Sequence, residues 1–144
     1  MKQRSPEWFA ARVGRVTGSN VGAILGDDPY RNADDVMRAM VRSYHKAESE
    51  FKGNIATEWG VANEDNAQFD YTMTTGNEVI ECGFFTYGDW LGASPDGLVG
   101  LDKVIEIKCP FGKRKDKPPM FKTLEEQPHY YAQMQIEMLC TGRD

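Results

Sequence analysis

The 144-residue sequence has few cysteines, and nothing in their arrangement indicates a disulfide framework or a zinc site. Cys82, Cys109 and Cys140 are odd in number, lie far apart and include no C-x-x-C pair. Because disulfides persist mainly in oxidising compartments, such a sparse set is typical of reduced thiols inside the cell. We therefore expect a cytoplasmic protein.

Long hydrophobic runs are also missing. No stretch approaches the roughly 20 apolar residues of a membrane helix, and the start, MKQRSPEW, lacks the apolar core of a signal peptide. The composition, 40% apolar and 27% charged, is that of an ordinary globular domain. We expect a single domain over residues 1–144, with no membrane partner.

Positive charge is absent from the middle of the chain. Residues 53–102 carry nine acidic side chains and no Lys or Arg, whereas both flanking segments contain more basic than acidic residues. The net charge of −5 argues weakly against nucleic-acid binding. The distribution, however, suits a metal site between phosphate-binding segments. A solvated acidic surface would give the same pattern, so charge alone leaves both interpretations open.

Periodicity predicts an α+β fold. Five segments favour helices: SPEWFAAR, VTGSNVGAIL, NADDVMRAMVRSYHKA, NIATEWGVANEDNAQFDYTMT and PHYYAQMQIEMLC. Three segments favour strands: EVIECGFFTY, LGASPDGLV and VIEIKCP. The connections YGDW and VGLDK are short enough for hairpins, so we expect these strands to form an antiparallel meander.

The helix starts carry recognisable caps. Ser5 precedes Pro6 at the first helix, and Thr17 or Ser19 is the candidate cap of the second. Asn32 or Asp34 is the candidate cap of the third.

The predicted inner face of the fourth helix has mainly small side chains and one carboxylate. Small side chains indicate that another segment of the chain approaches this face closely. Its residues are Gly60, Val61, Glu64, Ala67 and Gln68.

The third predicted strand, Val104 to Cys109, contains two charges. Glu106 and Lys108 are two residues apart, so they share one face of an extended chain. Buried charges persist when they are paired, hydrogen-bonded or bound to metal. An ion pair on an exposed sheet face is the simple alternative.

Asp96 shifts this balance towards a metal site. It lies in a Pro-Asp-Gly turn that should bring its carboxylate beside the strand of Glu106. Two carboxylates and the backbone carbonyl of Ile107 form a hard oxygen site suited to Mg²⁺ or Mn²⁺. Without a cation, one of the two carboxylates should be partly protonated. Lys108 on the same face could hold or deprotonate a water molecule or contact a phosphate oxygen, as metal-assisted phosphodiester hydrolysis requires.

SPDG at 94–97 followed by EIK at 106–108 resembles the PD-(D/E)xK nuclease motif. Four longer segments are similar, in order, to the lambda-exonuclease-like group of phage recombination enzymes, the YqaJ-like viral recombinase family: EWFAARVGRVTGSNVGAIL, GVANEDNAQFDY, GASPDGLV with VIEIKCPF, and YYAQMQIEM. The resemblance implies a restriction-endonuclease-like core, with a central mixed sheet begun by an antiparallel meander and flanked by helices. It also implies a further strand and helix after the last helix.

The resemblance implies the same metal site that the positions of Asp96, Glu106 and Ile107 predict. Asp96 and Glu106 would be ligands, together with the carbonyl of Ile107. Glu64 would support the metal, directly or through water; alone, it reads as a surface glutamate of a helix. The implied cofactor is Mg²⁺, two ions, with Mn²⁺ as a substitute.

The resemblance also assigns residues around the scissile phosphate. Lys108 would position or activate the attacking water. Ser94, Tyr131 and Gln133 match positions near that phosphate and the catalytic lysine, with Gln133 in the catalytic set.

Arg12 and Ser19 match the family's pocket for a 5′-terminal phosphate. A planar guanidinium near the start of a helix is independently suited to an anion, although a cap and a surface arginine would look the same. The candidate contacts to the DNA backbone are basic residues that could equally be solvated: Arg15, Lys113, Arg114, Lys115 and Lys117.

The implied activity is a Mg²⁺-dependent 5′-to-3′ exonuclease on double-stranded DNA ends, which releases mononucleotides and leaves 3′ overhangs for single-strand annealing. The implied partners are a duplex end with a 5′-phosphate, an annealing protein and further copies of the chain in a ring-shaped trimer. The alternatives are another PD-(D/E)xK nuclease, structure-specific or RecB-type, and a catalytically silent DNA-binding module. The end pocket disfavours endonuclease action, and the intact Asp96, Glu106 and Lys108 disfavour a silent module.

Overall fold

The computed structural model of the protein describes residues 1–113 and 122–144, and these residues form the expected α+β architecture. The helices are α1 (Pro6–Arg12), α2 (Gly18–Ile24), α3 (Ala33–Tyr44), α4 (Ile55–Thr75) and α5 (Pro128–Thr141), with a 3₁₀ helix at Phe111–Lys113. The strands are β1 (Val16–Thr17), β2 (Val79–Ile80), β3 (Phe85–Tyr87), β4 (Leu91–Ala93), β5 (Gly97–Val99) and β6 (Lys103–Ile105). Three of the candidate DNA contacts lie outside the described residues: Arg114, Lys115 and Lys117.

Caps begin the helices where the sequence predicts them. Ser5 caps α1 by accepting a hydrogen bond from the Trp8 backbone N–H at 3.2 Å. Asn32 caps α3 and forms a reciprocal capping box with Asp35. Thr17 is the N-cap residue of α2, but its side chain makes no cap hydrogen bond, because residues 16–17 are drawn into strand β1.

The predicted three-stranded meander is wrong in its connectivity. The described strands form two three-stranded sheets, ordered β1-β4-β3 and β2-β5-β6. Each of the first two predicted strands is broken, because the chain crosses from one sheet to the other at Cys82 and again at Pro95. Pro95 has no N–H to give to a ladder, and its carbonyl accepts a hydrogen bond from the Cys82 thiol at 3.2 Å. The parallel pairing of β1 with β4 was not predicted.

The third predicted strand is also shorter than expected, since β6 ends at Ile105. The backbone N–H of Ile107 donates to the Asp96 side chain and not to a neighbouring strand. Residues 106–109 are therefore an extended segment beyond the sheet, where their side chains meet other elements.

Helix α5 lies against helix α2 and against strands β3 and β4. The approach to α2 is close at Gly22, where an added Cβ would lie 2.7 Å from the Cα of His129. Gly18 faces the same helix, where an added Cβ would lie 3.5 Å from the backbone oxygen of Gln133. These two glycines let α5 lie deep enough to bring Gln133 and Glu137 into the interior.

The inner face of α4 agrees with the prediction at all but one position. Four of the five predicted residues are half-buried: Gly60, Glu64, Ala67 and Gln68. Val61 is 48% exposed. With 3.6 residues per turn, its side chain points to one side of the line that the other four form along the helix. The segment that approaches this face includes Cys109, whose carbonyl oxygen lies 3.9 Å from a Cβ placed on Gly60.

The three cysteines are free thiols. None of the described helices combines the length and apolar character required to cross a membrane. After α5, the backbone of Asp144 bonds to both Asp102 and Val104, beside strand β6. The strand and helix expected beyond this point stay a prediction.

Candidate active site

Asp96 lies in the three-residue crossing between β4 and β5. Its Oδ2 accepts the Ile107 backbone N–H at 2.6 Å, so the carboxylate does lie beside the segment of Glu106, as the turn predicts. The preceding residue, Pro95, is held from two sides, because its carbonyl accepts from Gln3 Nε2 at 2.7 Å and from the Cys82 thiol. The crossing therefore presents Asp96 from a fixed backbone.

Glu106 and Lys108 lie on one side of the extended segment that follows β6. Lys108 Nζ lies 2.5 Å from Glu106 Oε1. The Glu106 side chain is only 8% exposed and that of Lys108 is 35% exposed. The pair is therefore not the exposed ion pair of the simple alternative, since its carboxylate is enclosed by the fold.

Helix α5 closes the site with a glutamine. Gln133 Nε2 donates to Glu106 Oε1 at 2.6 Å and to Glu137 Oε1 at 2.8 Å, and its Oε1 accepts from Lys108 Nζ at 3.2 Å. Gln133 thus links three ionisable side chains from two segments that are distant in sequence. The ammonium of Lys108 is held at two acceptors, in a fixed position.

Sequence reasoning missed two residues of α5. The ring of Tyr130 lies under the Lys108 ammonium, with its centroid 5.1 Å from Nζ, whereas Tyr131 is 53% exposed. Glu137 is buried beside Gln133. The missed signal was helical spacing, because Tyr130, Gln133 and Glu137 are three and four residues apart and share one face of the helix.

Burial perturbs the acidic groups of the site. Burial raises the pKa of Asp96 to about 7, and the negative charge of Glu106 adds to the rise. Burial, with the Glu106 charge, likewise raises the pKa of Glu137 to about 8. The rise at Asp96 agrees with the expectation that one of the two carboxylates, Asp96 or Glu106, is partly protonated without a cation. Burial is the largest single cause and lowers the pKa of Lys108, but the charge and hydrogen bond of Glu106, together with the charge of Asp96, outweigh it. The net direction of the pKa is upward, so Lys108 is an ammonium.

Glu64 reaches the site electrostatically without touching Asp96 or Glu106. Its carboxylate pairs with Arg4 at 3.4 Å. Burial raises the pKa of Glu64; Arg4 opposes this, and the charge of Glu106 adds to it. An interaction through water or metal is compatible with this placement.

The donor set fits a hard divalent cation. Among residues 1–113 and 122–144, no group of three or more His, Cys, Asp or Glu side chains already surrounds a metal position. Asp96 and Glu106 are nevertheless two carboxylates at one place, and Glu106 Oε2 is buried with no hydrogen-bond partner. Mg²⁺ is commonly held by one or two carboxylates with several waters, so a dedicated cage is not required.

Arg12 lies close to this site through Trp8. Its guanidinium stacks on the Trp8 ring, 4.1 Å from the centroid, and the indole N–H donates to Ser94 Oγ at 2.7 Å, two residues before Asp96. Burial lowers the pKa of Arg12 from its high ordinary value. In the described part of the chain, Arg12 has no carboxylate partner, which leaves its donors available to an anion.

The other predicted phosphate and DNA contacts are less closely joined to the site. Ser19 is exposed in the first turn of α2, with its hydroxyl 3.4 Å from that of Thr17, and no hydrogen bond of the described residues links it to Arg12. Arg15 donates to the carbonyl of Ala11 at 2.8 Å, while its Nε is buried without a partner. Lys113 ends the 3₁₀ helix.

Comparison with known proteins agrees with the sequence resemblance. The profile of the YqaJ-like viral recombinase domain matches residues 7–144. The crystal structure of an alkaline exonuclease, LHK-Exo, from Laribacter hongkongensis matches at 35% identity with a TM-score of 0.74, covering 96% of this chain and 70% of that one. The structure of LHK-Exo in complex with dAMP matches at 36% identity, with the same TM-score and coverage. No curated protein matches. The chain therefore belongs to the YqaJ-like viral recombinase family.

Proposed function

We propose that this protein is a Mg²⁺-dependent exonuclease on double-stranded DNA ends. It degrades the strand whose 5′ end lies at the duplex end, in the 5′-to-3′ direction, releases 5′ mononucleotides and leaves 3′ overhangs for single-strand annealing. Membership of the recombinase family and homology to an alkaline exonuclease support nuclease activity. The observation that carries the proposal is the fixed group of Asp96, Glu106, Lys108 and Gln133. The dAMP complex of the relative contains a deoxynucleoside monophosphate, the class of product expected here.

Asp96 and Glu106 would hold the cation, Mg²⁺ or Mn²⁺, with the Ile107 carbonyl and with Glu64 acting through water. When bound, the cation supplies Lewis acidity and lowers the pKa of a coordinated water. Because Lys108 carries its proton, we assign it to hydrogen-bond donation: it holds the attacking water or a phosphate oxygen and stabilises negative charge there. Gln133 and Glu106 fix the ammonium for that role.

End recognition is assigned to Arg12 and Ser19, which would bind the terminal 5′-phosphate. Support comes from the available guanidinium of Arg12 and its connection through Trp8 to Ser94. Ser94 and Tyr131 would contact the DNA near the scissile phosphate. Contacts to the DNA backbone are proposed for Arg15, Lys113, Arg114 and Lys115.

A ring-shaped trimer and an annealing partner protein complete the proposal. Both follow from the family resemblance alone and stay predictions. Sedimentation of the protein with and without duplex DNA would test the trimer.

The decisive experiment compares linear duplexes with a 5′-phosphate and a 5′-hydroxyl, each labelled at the 5′ or 3′ end, in Mg²⁺, Ca²⁺ or EDTA. We expect mononucleotides from the 5′ strand in Mg²⁺, faster digestion of the phosphorylated end, and no turnover in Ca²⁺ or EDTA. Asp96→Ala is the inactive control. Digestion in excess EDTA would refute the metal site, loss of the 3′ label first would refute the polarity, and cleavage of closed circular DNA would favour an endonuclease.

A further inference from the structure

Glu137 is a carboxyl group enclosed in the protein interior, with 1% of the residue exposed. It donates nothing to Gln133 but accepts one of that residue's N–H groups, one helical turn earlier on α5, and its carboxyl also interacts with that of Glu106. We propose that Glu137 is a positioning residue, which fixes the side-chain amide of Gln133 in the one orientation that holds both Lys108 and Glu106. This inference rests on the proposed nuclease function for its kinetic test.

The hydrogen bonds of Gln133 define that orientation. A carboxamide has two N–H donors on nitrogen and an acceptor oxygen. Both donors are used, one to Glu106 Oε1 and one to Glu137 Oε1, and the oxygen accepts from Lys108. A flipped amide would direct its oxygen at the carboxylate of Glu106 and its N–H groups at the ammonium of Lys108. Glu137 accepts the second N–H group and so completes the observed orientation.

The packing around Gln133 confines its side chain, so rotation of the terminal amide is the motion left to it. The residue is buried, and a Cβ on Gly18 of α2 would lie 3.7 Å from its Cγ, so the stem of the side chain is enclosed. With the stem confined, only the outer amide could rotate. The two carboxyl groups that accept its N–H groups, those of Glu106 and Glu137, therefore determine whether the amide oxygen faces Lys108.

A purely structural role is a poor explanation for Glu137. An enclosed carboxyl is costly relative to an apolar residue of similar size, and the negative charge of Glu106 beside it adds to the cost. A leucine or methionine would fill the position without that cost. A glutamate at this position is therefore explained better by what it does to Gln133 than by packing.

The kinetic test compares Glu137→Leu with Glu137→Gln. Leucine removes the acceptor, so the single-turnover cleavage rate at saturating DNA and Mg²⁺ should fall about 10- to 100-fold, as is usual for residues that orient catalytic groups. Glutamine retains an acceptor oxygen and should restore most of the rate. In a Gln133→Ala background, Glu137→Leu should cause little further loss, because its effect passes through Gln133. Gln135→Leu, on the exposed face of α5, is the matched control and should change nothing.

A second test needs no activity. In ¹⁵N NMR of the metal-free protein, both side-chain amide protons of Gln133 should exchange slowly in the wild type and in Glu137→Gln, and one should exchange fast in Glu137→Leu. Glu137→Met replaces the leucine variant if that variant does not fold. A full cleavage rate in a folded leucine or methionine variant, unchanged protection of Gln133, or a glutamine variant as slow as leucine would each overturn the proposal. An inactive wild type with the expected protection pattern would instead overturn the proposed function alone.

Discussion

Replacing Asp96 with asparagine should stabilise the metal-free protein while abolishing DNA cleavage. Burial and the Glu106 charge raise the pKa of Asp96 from an ordinary 3.8 to about 7. A carboxyl whose pKa is higher in the folded state than in the unfolded state destabilises the fold when it is ionised. That destabilisation is complete above pH 7, and it diminishes as the pH falls from 7 towards 3.8.

The structure sets the size of this effect. A pKa rise of about 3 corresponds to a free-energy penalty of at most about 4 kcal/mol, at about 1.36 kcal/mol per pKa unit. Asp96 is partly exposed, so solvent screening should reduce the penalty to about 1–2 kcal/mol. Asparagine keeps an oxygen for the Ile107 N–H, now bonded at 2.6 Å, so the substitution should sacrifice little of that hydrogen bond. The expected net gain is therefore about 1–2 kcal/mol at pH 8.

The assay is urea denaturation in EDTA at pH 8 and pH 5, followed by the same measurement in Mg²⁺. The advantage of Asp96→Asn should be smaller at pH 5 than at pH 8, because more of the wild-type carboxyl is protonated in the folded state at the lower pH. Mg²⁺ should stabilise the wild type and not the variant. Asp70→Asn, an exposed change on α4, is the control. Equal or lower stability of Asp96→Asn at pH 8, or an advantage independent of pH, would refute the reasoning, and retained cleavage would refute the role as a ligand.

Three further predictions concern Lys108, Arg12 and the contact between helices α2 and α5. Lys108→Ala should lower single-turnover cleavage by about 10²-fold or more while the protein stays folded; a large drop in melting temperature with full activity per folded molecule would contradict this. Arg12→Ala should slow digestion of 5′-phosphorylated duplex roughly 10- to 150-fold, which corresponds to a loss of about 1.5–3 kcal/mol of binding free energy. The ratio of the digestion rates of 5′-phosphorylated and 5′-hydroxyl duplex should also decrease. Equal slowing of both substrates would instead make Arg12 a general contact to the DNA backbone. Gly22→Ala should destabilise the protein by about 1–3 kcal/mol in urea denaturation, because its Cβ would collide with the backbone of His129, whereas Gly60→Ala, with a Cβ 3.9 Å from its neighbour, should be tolerated.

The sequence reveals the charged centre of the site because its determinants are local. Alternation along an extended chain places Glu106 and Lys108 on one side whether or not that chain is paired in a sheet, and their 2.5 Å contact shows the same side. The turn at Asp96 connects neighbouring segments, so its carboxylate could be placed without knowing the rest of the fold. This reasoning succeeded even though strand β6 ends before Glu106.

The contributions of α5 could not be placed in the same way. Which face of that helix meets Lys108 depends on its docking against α2, at a separation of more than 100 residues, and on the space left by Gly22. Helical spacing groups Tyr130 with Gln133 but does not say that this face is the inner one. The sheets were misjudged for a related reason: two- and three-residue strands carry too little periodicity to show where a chain leaves one sheet for another.

The clustered carboxyl groups of the site destabilise the folded protein, and the same groups are suited to binding a cation. Asp96, Glu106 and Glu137 come together around the ammonium of Lys108, and the raised pKa values of Asp96 and Glu137 mean that protons offset part of their charge in the metal-free protein. A cation bound at Asp96 must displace its proton, so metal affinity should rise as the pH passes through about 7. Such binding would offset the repulsion between Asp96 and Glu106 and would add stability to the loaded protein. Stability, proton release and metal affinity are thus one linked equilibrium, which is the physical reason why a carboxylate pair that weakens the fold is compatible with a nuclease site.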